Sequence, residues 1–327
     1  LTGDELDLYP VSDGALDVGG SARVAIVYNE PQTSRFGALN EILAVMGVLD
    51  AVRAVEKALN ELDYDVVMVP LTPPADEIKS RLAALNVHLI FNLFEGFDDC
   101  SETEALVPEA AEELGIPYTG CPGNALRLAL DKAKAKTLLK SAGIKTSDFQ
   151  VLTPATVQEF KLKFPCIVKP RSEDASHGLS EASVVNDIAA LTRQVELVSR
   201  AFGGDAIVEE FIDGREFNST GLGNKDLVVL PISEIVYCLP GHLPRLLTFA
   251  AKWEEKSVYF EGTKPVCPAR ITAAQKRKIS QLVLDTFRLF DCRGYARIDL
   301  RMDNKGDFYV IELNPNHDIT PGNGTAR

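Results

Sequence analysis

Two acidic residues near the carboxyl end of the chain alternate with apolar residues in a pattern that brings them together. The segment YARIDLRMDNKGDFYVIELNPN, residues 295–316, predicts two strands joined by a turn at DNKGD. A symmetric hairpin of this sequence places Asp299 opposite Glu312. It also places Arg297 opposite Asn314 on the same face, because side chains alternate with period two. The two carboxylates would then stand roughly 5 Å apart, where like charges repel unless a cation lies between them.

The side chains on this face offer oxygen atoms as metal ligands. Asp299, Glu312 and Asn314 bring no thiolate and no imidazole, a donor set that suits Mg²⁺ or Mn²⁺ completed by water and substrate phosphates. Arg297 beside such an ion would oppose developing negative charge, or would form a plain salt bridge with Glu312. The other reading is that one strand slips by a residue, which would turn the acids toward solvent.

Magnesium bound in this way usually accompanies a nucleotide, whose phosphates need cations. Lys132 follows the apolar stretch LALD, and Lys169 ends the apolar strand CIVK just before a polar loop. A lysine is ordinarily a solvated surface residue, but one that ends an apolar strand is less ordinary. His177 lies in that loop, SEDASHG, and is interpreted either as a plain loop residue or as a contact to phosphate or substrate.

The segment IVEEFIDGREF, residues 207–217, predicts a strand that leads into a turn. In a nucleotide site its backbone would bind an adenine edge while a carboxylate held the ribose hydroxyls. Glu209, Glu210 and Glu216 are the candidates, and a charged edge strand is the alternative. Neither GxxxxGK[ST] nor GxGxxG occurs in the sequence, which excludes a P-loop and a dinucleotide-binding fingerprint.

The elements that must position these residues follow two patterns. Strands and helices alternate between Arg23 and Asn124, which predicts a parallel sheet with helices on its faces. Beyond this point the alternation is lost, which predicts an α+β organisation. There the stretch ALRLALDKAKAKTLLKSAG is predicted as a helix that ends at Gly143. The expected segments are a tail at 1–22, an α/β domain at 23–124, a central lobe at 125–206 and a C-terminal lobe at 207–327.

Composition excludes several classes of protein. The chain has 34 basic and 47 acidic residues and a formal charge of −13, which argues against nucleic-acid or anionic-membrane partners held by bulk electrostatics. Its six cysteines are scattered without a CxxC pair, so a reducing cytoplasm fits better than a disulfide framework. No apolar run approaches the roughly 18 residues that span a bilayer, and the acidic amino end does not resemble a signal peptide.

The site residues and their order resemble the ATP-grasp superfamily, specifically its D-alanine:D-alanine ligase branch. The most specific pieces are GIPYTG…ALDK, FPCIVKP, IVEEFIDGREF and YARIDLR…IELN, and the similarity runs from about Arg23 to Gly324. The resemblance implies an α/β N-terminal domain followed by the two α+β lobes of an ATP-grasp fold, with ATP between the lobes. The residues that carry it are, in order, Lys132, Lys169, Glu209 to Glu216, Lys252, Arg297, Asp299, Glu312 and Asn314.

The resemblance also implies a role for each matching residue. The two lysines at 132 and 169 would hold phosphates, and Lys252 would reach the γ-phosphate. Arg297 would stabilise the phosphoryl and tetrahedral states of the reacting carboxylate. Asp299, Glu312 and Asn314 would bind two magnesium ions. Glu209 and the backbone after it would read adenine, and Glu216 would take the ribose, so the nucleotide-binding set is Lys132, Lys169, Glu209, Glu210, Phe211, Ile212 and Glu216.

The sequence departs from the family where amino-acid substrates bind. Asp174 and Ala175 stand where the family has a glycine and a substrate-contacting serine, and Trp253 replaces a loop tyrosine. The N-terminal stretch lacks the glutamate-valine-serine motif, for which Glu41 is a loose substitute, and the segment after Asn314 is longer than the family's turn. The candidate substrate contacts are Glu41, Glu95, Ser176, His177, Trp253 and Gly322.

A preserved ATP half and a rewritten amino-acid half predict an ADP-forming carboxylate–amine ligase with ATP and Mg²⁺ (or Mn²⁺) as cofactors. It would form a dipeptide-like amide through an acyl phosphate, from small amino-acid substrates other than two D-alanines. We expect a cytoplasmic protein without nucleic-acid or membrane partners, and a homodimer is left open. The alternatives are an authentic D-alanine:D-alanine ligase and a catalytically silent nucleotide-binding regulatory protein.

Overall fold

The structure, a computed structural model, describes residues 22–30, 39–97, 100–173 and 179–320, without the side chains at 39–46 and 253. None of the helices in these ranges combines the length and the apolarity that crossing a membrane requires. Several sequence predictions lie outside the described residues, namely most of the tail, Ser176, His177, Gly322 and the side chains of Glu41 and Trp253.

The first third of the chain forms a three-stranded parallel sheet with the order β2-β1-β3. Helices cover both faces of this sheet, so residues 24–27 are at most 1% exposed although their side chains alternate between the faces. This is the layered α/β arrangement that the alternating pattern predicts. Its elements are β1 (Arg23–Asn29), α1 (Leu39–Glu61), β2 (Asp65–Leu71), α2 (Ile78–Ala83), β3 (Leu89–Leu93) and α3 (Leu106–Leu114).

The stretch predicted as one long helix is two helices, α4 (Gly123–Leu130) and α5 (Lys132–Ser141). Asp131 separates them in an extended conformation, with φ −80° and ψ 91°. Its carboxylate accepts hydrogen bonds from two N–H groups in the first turn of α5, and Arg171 donates to both carboxylate oxygens at 3.0 and 2.9 Å. The prediction of a continuous helix is therefore wrong, because a capped start is more stable here than another helical turn.

A small antiparallel sheet follows, with the order β4-β7-β5-β6. One face packs on α6 around a core that includes Val168 and Val208. Lys169 and Glu209 are one residue further along their strands, so they project from the opposite face. The elements are β4 (Phe149–Leu152), β5 (Cys166–Pro170), β6 (Val184–Val185), α6 (Ile188–Phe202) and β7 (Ala206–Glu210).

The last sheet has six strands in the order β11-β10-β8-β12-β13, with β9 paired to β8. Helices α4, α5 and α9 belong to the core on one face, and the other face carries the predicted site residues. Two short helices, α7 and α8, lie between β10 and β11. The elements are β8 (Arg215–Leu222), β9 (Val228–Val229), β10 (Ser233–Tyr237), α7 (Phe249–Trp253), α8 (Val258–Gly262), β11 (Thr263–Val266), α9 (Ala273–Leu289), β12 (Tyr295–Met302) and β13 (Phe308–Asn314).

The β12–β13 hairpin confirms the predicted pairing, because Asp299 lies opposite Glu312. Beyond this pair the register shifts by one residue, so that Leu300 pairs with Val310 and Ile311 is the extra residue of a β-bulge. The symmetric hairpin predicted from the sequence is thus right at the acids and wrong nearer the tip. Two successive half-buried residues, 311 and 312, mark the bulge in the burial pattern of β13.

The loop before α4 meets the loop before β12 at a pair of glycines. Gly294 has a φ of +67°, and a Cβ placed there would lie 2.9 Å from the backbone nitrogen of Gly120. Beside this contact Arg293 donates to Glu112 at 2.8 Å and to the hydroxyl of Tyr118 at 2.6 Å. The close backbone approach therefore tolerates no side chain at position 294.

Candidate active site

Each acid of the hairpin pair is held by its own cation. Arg297 donates from Nε and Nη2 to the two oxygens of Asp299 at 2.8 and 2.9 Å, and Asn314 donates to Asp299 Oδ2 at 3.0 Å. Glu312 accepts a hydrogen bond of 2.6 Å from Lys132 Nζ, at the start of α5. The alternative in which Arg297 pairs with Glu312 is therefore wrong. The acids face a cleft rather than open solvent, with 16% and 31% of their side chains exposed.

Three lysines from three separate elements act on the Glu312 carboxylate, Lys132 by direct contact and the other two through their charge. Burial raises the pKa of Glu312, but the charges of Lys132, Lys169 and Lys252, with the hydrogen bond from Lys132, lower it to about 2. These lysines lie at the start of α5, near the end of β5 and in α7, so they come near one another only when the chain folds. Lys169 also lies 3.1 Å from Glu209, so three ammonium groups face two carboxylates and keep an excess of positive charge, which suits a polyphosphate.

Lys252 lies over the same face of the six-stranded sheet. Burial and then the charge of Arg297 lower the pKa of Lys252, and the charges of Glu312 and Asp299 oppose this shift. Thr248 caps the helix that carries Lys252, because its side chain accepts a hydrogen bond from the N–H of Ala251. The capped turn fixes where the lysine enters the site.

The predicted adenine contact Glu209 is turned toward lysines. It is 2% exposed, and its Oε1 lies 3.1 Å from Lys169 Nζ. Its Oε2 accepts from Ser147 Oγ at 2.7 Å and lies 2.9 Å from Lys136 Nζ. The sequence analysis missed Lys136, although a lysine four residues after Lys132 falls on the apolar face of an amphipathic helix, which was a usable signal.

The strand edge after Glu209 has fewer free backbone groups than predicted. The N–H of Glu210 donates to the carbonyl of Asp148, and the N–H of Phe211 donates to the carbonyl of Pro165, both at 2.9 Å. The N–H of Ile212 donates to no residue in the described part of the chain. A base bound at this edge would therefore find its backbone donor at Ile212.

The predicted ribose contact Glu216 is held from two sides. Its Oε2 accepts from the hydroxyl of Tyr237 at 2.7 Å and from the guanidinium of Arg301. Arg301 also donates to the carbonyl of Ile212 at 2.8 Å, so one buried arginine connects the ribose and adenine positions. The sequence analysis missed Arg301, which the period of two places on the same face as Asp299.

Glu95 lies at the carboxyl edge of the parallel sheet, just after β3. Its N–H donates to Oδ1 of Asn29, which ends β1, at 3.1 Å. Partial loss of surrounding water and then the charge of Asp318 raise the pKa of its carboxyl above the usual value, although the residue keeps contact with solvent. Asn316 donates to the carbonyl of Phe94 at 3.0 Å, so the segment after β13 lies against this edge. Ligands bind at such edges in open α/β sheets.

The donor set fits a cation shared with a substrate better than a closed metal site. Among the described residues, no three His, Cys, Asp or Glu side chains come together as a metal-binding group. Asp299 and Glu312 supply two carboxylates on one face, and Asn314 adds an amide oxygen. Mg²⁺ usually takes one or two carboxylates and completes its shell with water and phosphate oxygens, so these three residues fit it.

Comparison with known proteins places the chain in a family. Residues 138–322 match the family model described as "D-ala D-ala ligase C-terminus". The uncharacterized protein y4sG of Sinorhizobium fredii is 38% identical over 228 residues, which are 69% of this chain and 64%, less than two thirds, of that relative. The D-alanine–D-alanine ligase of Alcanivorax borkumensis is 29% identical over 250 residues, 76% of this chain and 73% of the ligase.

Solved structures share the whole fold at low sequence identity. The Bacillus anthracis D-alanine–D-alanine ligase complexed with ATP superposes with a TM-score of 0.68 at 20% identity, and covers 94% of this chain and 90% of its own. The VanG D-Ala:D-Ser ligase of Enterococcus faecalis superposes with a TM-score of 0.69 at 19% identity, and 93% of each chain is covered. The chain has the ATP-grasp fold, and it belongs to the D-alanine–D-alanine ligase family.

Proposed function

We propose that this protein is an ATP-dependent, ADP-forming ligase that joins a carboxylate to an amine. The observation that carries the proposal is the 2.6 Å contact of Lys132 with Glu312 beside the facing acid Asp299, with the charges of Lys169 and Lys252 acting on the same carboxylate. Such a site holds a polyphosphate through its cations and a divalent ion through its acids. The relatives named D-alanine–D-alanine ligase support the same reaction class.

The nucleotide half of the reaction is assigned from the positions of the lysines. Lys132 and Lys169 hold the phosphates of ATP, and Lys252 reaches the γ-phosphate from α7. Asp299, Glu312 and Asn314 would hold Mg²⁺, which when bound supplies neutralising charge to the phosphate oxygens. The adenine contacts the edge at Ile212, with Glu216 at the ribose.

The chemical half consists of two displacements. An oxygen of the substrate carboxylate attacks the γ-phosphorus, the bond to ADP breaks, and an acyl phosphate forms. The amine then attacks the acyl carbon. The bond between that carbon and the phosphate oxygen breaks, inorganic phosphate leaves, and the amine loses a proton as the amide forms. Arg297, beside Asp299 on the cleft face, opposes the negative charge that develops in both steps.

The acid and the amine are proposed to be amino acids or similar small molecules other than two D-alanines. The family model begins at residue 138, which leaves the sheet of β1, β2 and β3 outside the match. The carboxyl groups of Glu95 and Asp318 are close enough for the charge of Asp318 to act on Glu95, and two neighbouring carboxyl groups at this sheet edge suit a substrate that carries an ammonium group. One neighbouring structure is a D-Ala:D-Ser ligase, so a changed second substrate has a precedent on this fold.

Authentic D-alanine:D-alanine ligation is the second candidate, favoured by the names of several relatives. A binding protein without turnover is less favoured. ATP binding alone does not require Arg297 together with the facing acids, yet the chain keeps that arrangement.

The test is ATP-dependent phosphate release in the presence of Mg²⁺ and pools of candidate amino acids. D-alanine alone forms one arm, and mixed pools of acids and amines form the others. We expect release with a mixed pool that exceeds release with D-alanine. Release with D-alanine alone would support the second candidate, and tight ATP binding without release from any pool would leave only a binding protein. The Asp299→Asn variant controls for a contaminating phosphatase.

A further inference from the structure

A buried lysine lies next to the proposed nucleotide site. Lys136 is on α5, one turn after Lys132, and is 2% exposed. Its Nζ donates to Thr146 Oγ1 at 2.8 Å and to Ser147 Oγ at 2.9 Å, and it lies 2.9 Å from Glu209 Oε2. A buried ammonium group destabilises the fold unless it is paired and fully hydrogen-bonded. The three contacts of Lys136 meet this requirement.

Glu209 is shared by two lysines, one on each oxygen. Lys136 holds Oε2, and Lys169 Nζ lies 3.1 Å from Oε1. Burial raises the pKa of Glu209, but the charges of Lys136 and Lys169 lower it to about 2, so the carboxylate stays ionised at neutral pH. The three groups form a row of charges, positive, negative and positive, that ends at the proposed phosphate position.

This row of charges affects how strongly Glu209 attracts Lys169. A phosphate that approaches Lys169 must compete with Glu209 for the same ammonium group. If Lys136 were absent, the whole charge of Glu209 would act on Lys169 in a buried site, where charge pairs are poorly screened. With Lys136 in place, part of that charge is already neutralised.

We propose that Lys136 is a positioning residue for nucleotide binding, which holds Glu209 in place and so leaves Lys169 available to a phosphate. The inference rests on the proposed function in taking Lys169 as a phosphate ligand. It adds a residue that touches no substrate and acts only through Glu209. A merely structural role for Lys136, as a support between α5 and the small sheet, makes different predictions.

The test is direct titration of ATP with Mg²⁺, without amino-acid substrates, in a double-mutant cycle. Lys136→Met should weaken ATP binding about tenfold or more, and in a Lys169→Met background it should change binding by less than about twofold. Equal losses in both backgrounds would overturn the proposal. Lys140→Met, on the exposed side of the same helix, is the matched control and should leave ATP affinity unchanged.

A second pair of variants decides the matter if Lys136→Met does not fold. The Glu209→Gln variant and the Lys136→Met/Glu209→Gln double variant contain no buried unpaired carboxylate, and the double variant contains no buried unpaired ammonium either. They should bind ATP alike, within about twofold, because Lys136 matters only while Glu209 is charged. A further tenfold loss in the double variant would overturn the proposal. A wild-type protein that binds no ATP would overturn both this inference and the proposed function, whereas ATP binding with an additive cycle would overturn this inference alone.

Discussion

Asp299 and Glu312 lie directly opposite each other on β12 and β13, and each carboxylate is held by a different cation. Arg297 donates hydrogen bonds to Asp299 from the same strand, while Lys132 on α5 donates to Glu312. Two like charges on adjacent strands are destabilising, so these cations offset a cost that the hairpin would otherwise carry. In the proposed function the same cations would compensate the acids before substrate arrives, and a divalent ion would take over that role when nucleotide binds.

Asp299→Asn should abolish turnover and preserve the fold. The amide keeps the size of the side chain but removes the charge that a divalent cation requires, so we expect a loss of about 10²-fold or more in phosphate release. Asp307→Asn is the matched control, because Asp307 lies on the same hairpin but pairs with Lys145 outside the cleft. Thermal melting should show both variants folded. Undiminished turnover in Asp299→Asn would remove this residue from the metal site.

Lys252→Met should lower turnover by about 10² to 10³, because the variant loses a positive charge proposed to act on the transferred phosphoryl group. Lys256→Met, four residues later and exposed, is the control and should have wild-type rates. Steady-state phosphate release measures both variants. Equal activity of the two would mean that α7 does not approach the nucleotide.

Unfolding in acid should depend on Glu209. The folded-state pKa of this carboxyl is lowered from 4.5 to about 2 by Lys136 and Lys169, despite burial. Its contribution to stability is therefore fully present above pH 4.5 and is lost as the pH falls toward 2, by about 3 kcal/mol in total. Urea unfolding at a series of pH values from 6 to 3 should show a shallower decline for Glu209→Gln than for the wild type. Parallel declines would contradict the assignment.

His317→Phe should stabilise the protein. His317 is 7% exposed, and neither ring nitrogen has a hydrogen-bond partner of good geometry among the described residues. Its ring lies edge-to-face against the ring of Tyr295, with 5.3 Å between the ring centroids, and phenylalanine would keep this contact. Removing the unsatisfied polar atoms should raise the free energy of unfolding by about 1 kcal/mol, measured by urea denaturation. A loss of stability would show that the imidazole makes a polar contact.

Gly294→Ala should destabilise the protein more than Gly306→Ala. Both glycines have positive φ, +67° and +85°, so alanine costs about 1 to 2 kcal/mol at either position. Only at Gly294 would the new Cβ also press on the backbone of Gly120, whereas Gly306 has open space around it. The difference between the two free energies of unfolding measures this contact, and equal values would show that the backbone at Gly120 makes room for the Cβ at no cost.

The acids of the hairpin were predictable because the period of a strand fixes which residues share a face. Alternation along YARIDLRM sends Ile298 and Leu300 into the core and Asp299 to the cleft, and the structure has this arrangement. The same rule would have added Arg301. The bulge at Ile311 was not predicted, because an extra residue in a ladder depends on the packing around the strand and changes only one step of the pattern.

Contacts between distant segments were the least predictable features. Asp131 breaks the predicted long helix because Arg171, 40 residues later, binds its carboxylate. Lys136 is buried because it pairs with Glu209, which lies on β7 of the small sheet. Neither partner is visible within the local window that determines helix propensity, so local rules extend the helix and leave the lysine on its surface.

The bulge at Ile311 also separates the geometry of the hairpin tip from that of the cleft. A regular ladder extended from the tip would put Glu312 opposite Ile298 and turn it toward the hydrophobic interior, whereas the extra residue returns it to face Asp299. The strand can therefore lose this one residue without reversing its polar side chains. A single-residue gap at this point in a homologous sequence would therefore be a length change that leaves the two facing acids on one side of the hairpin.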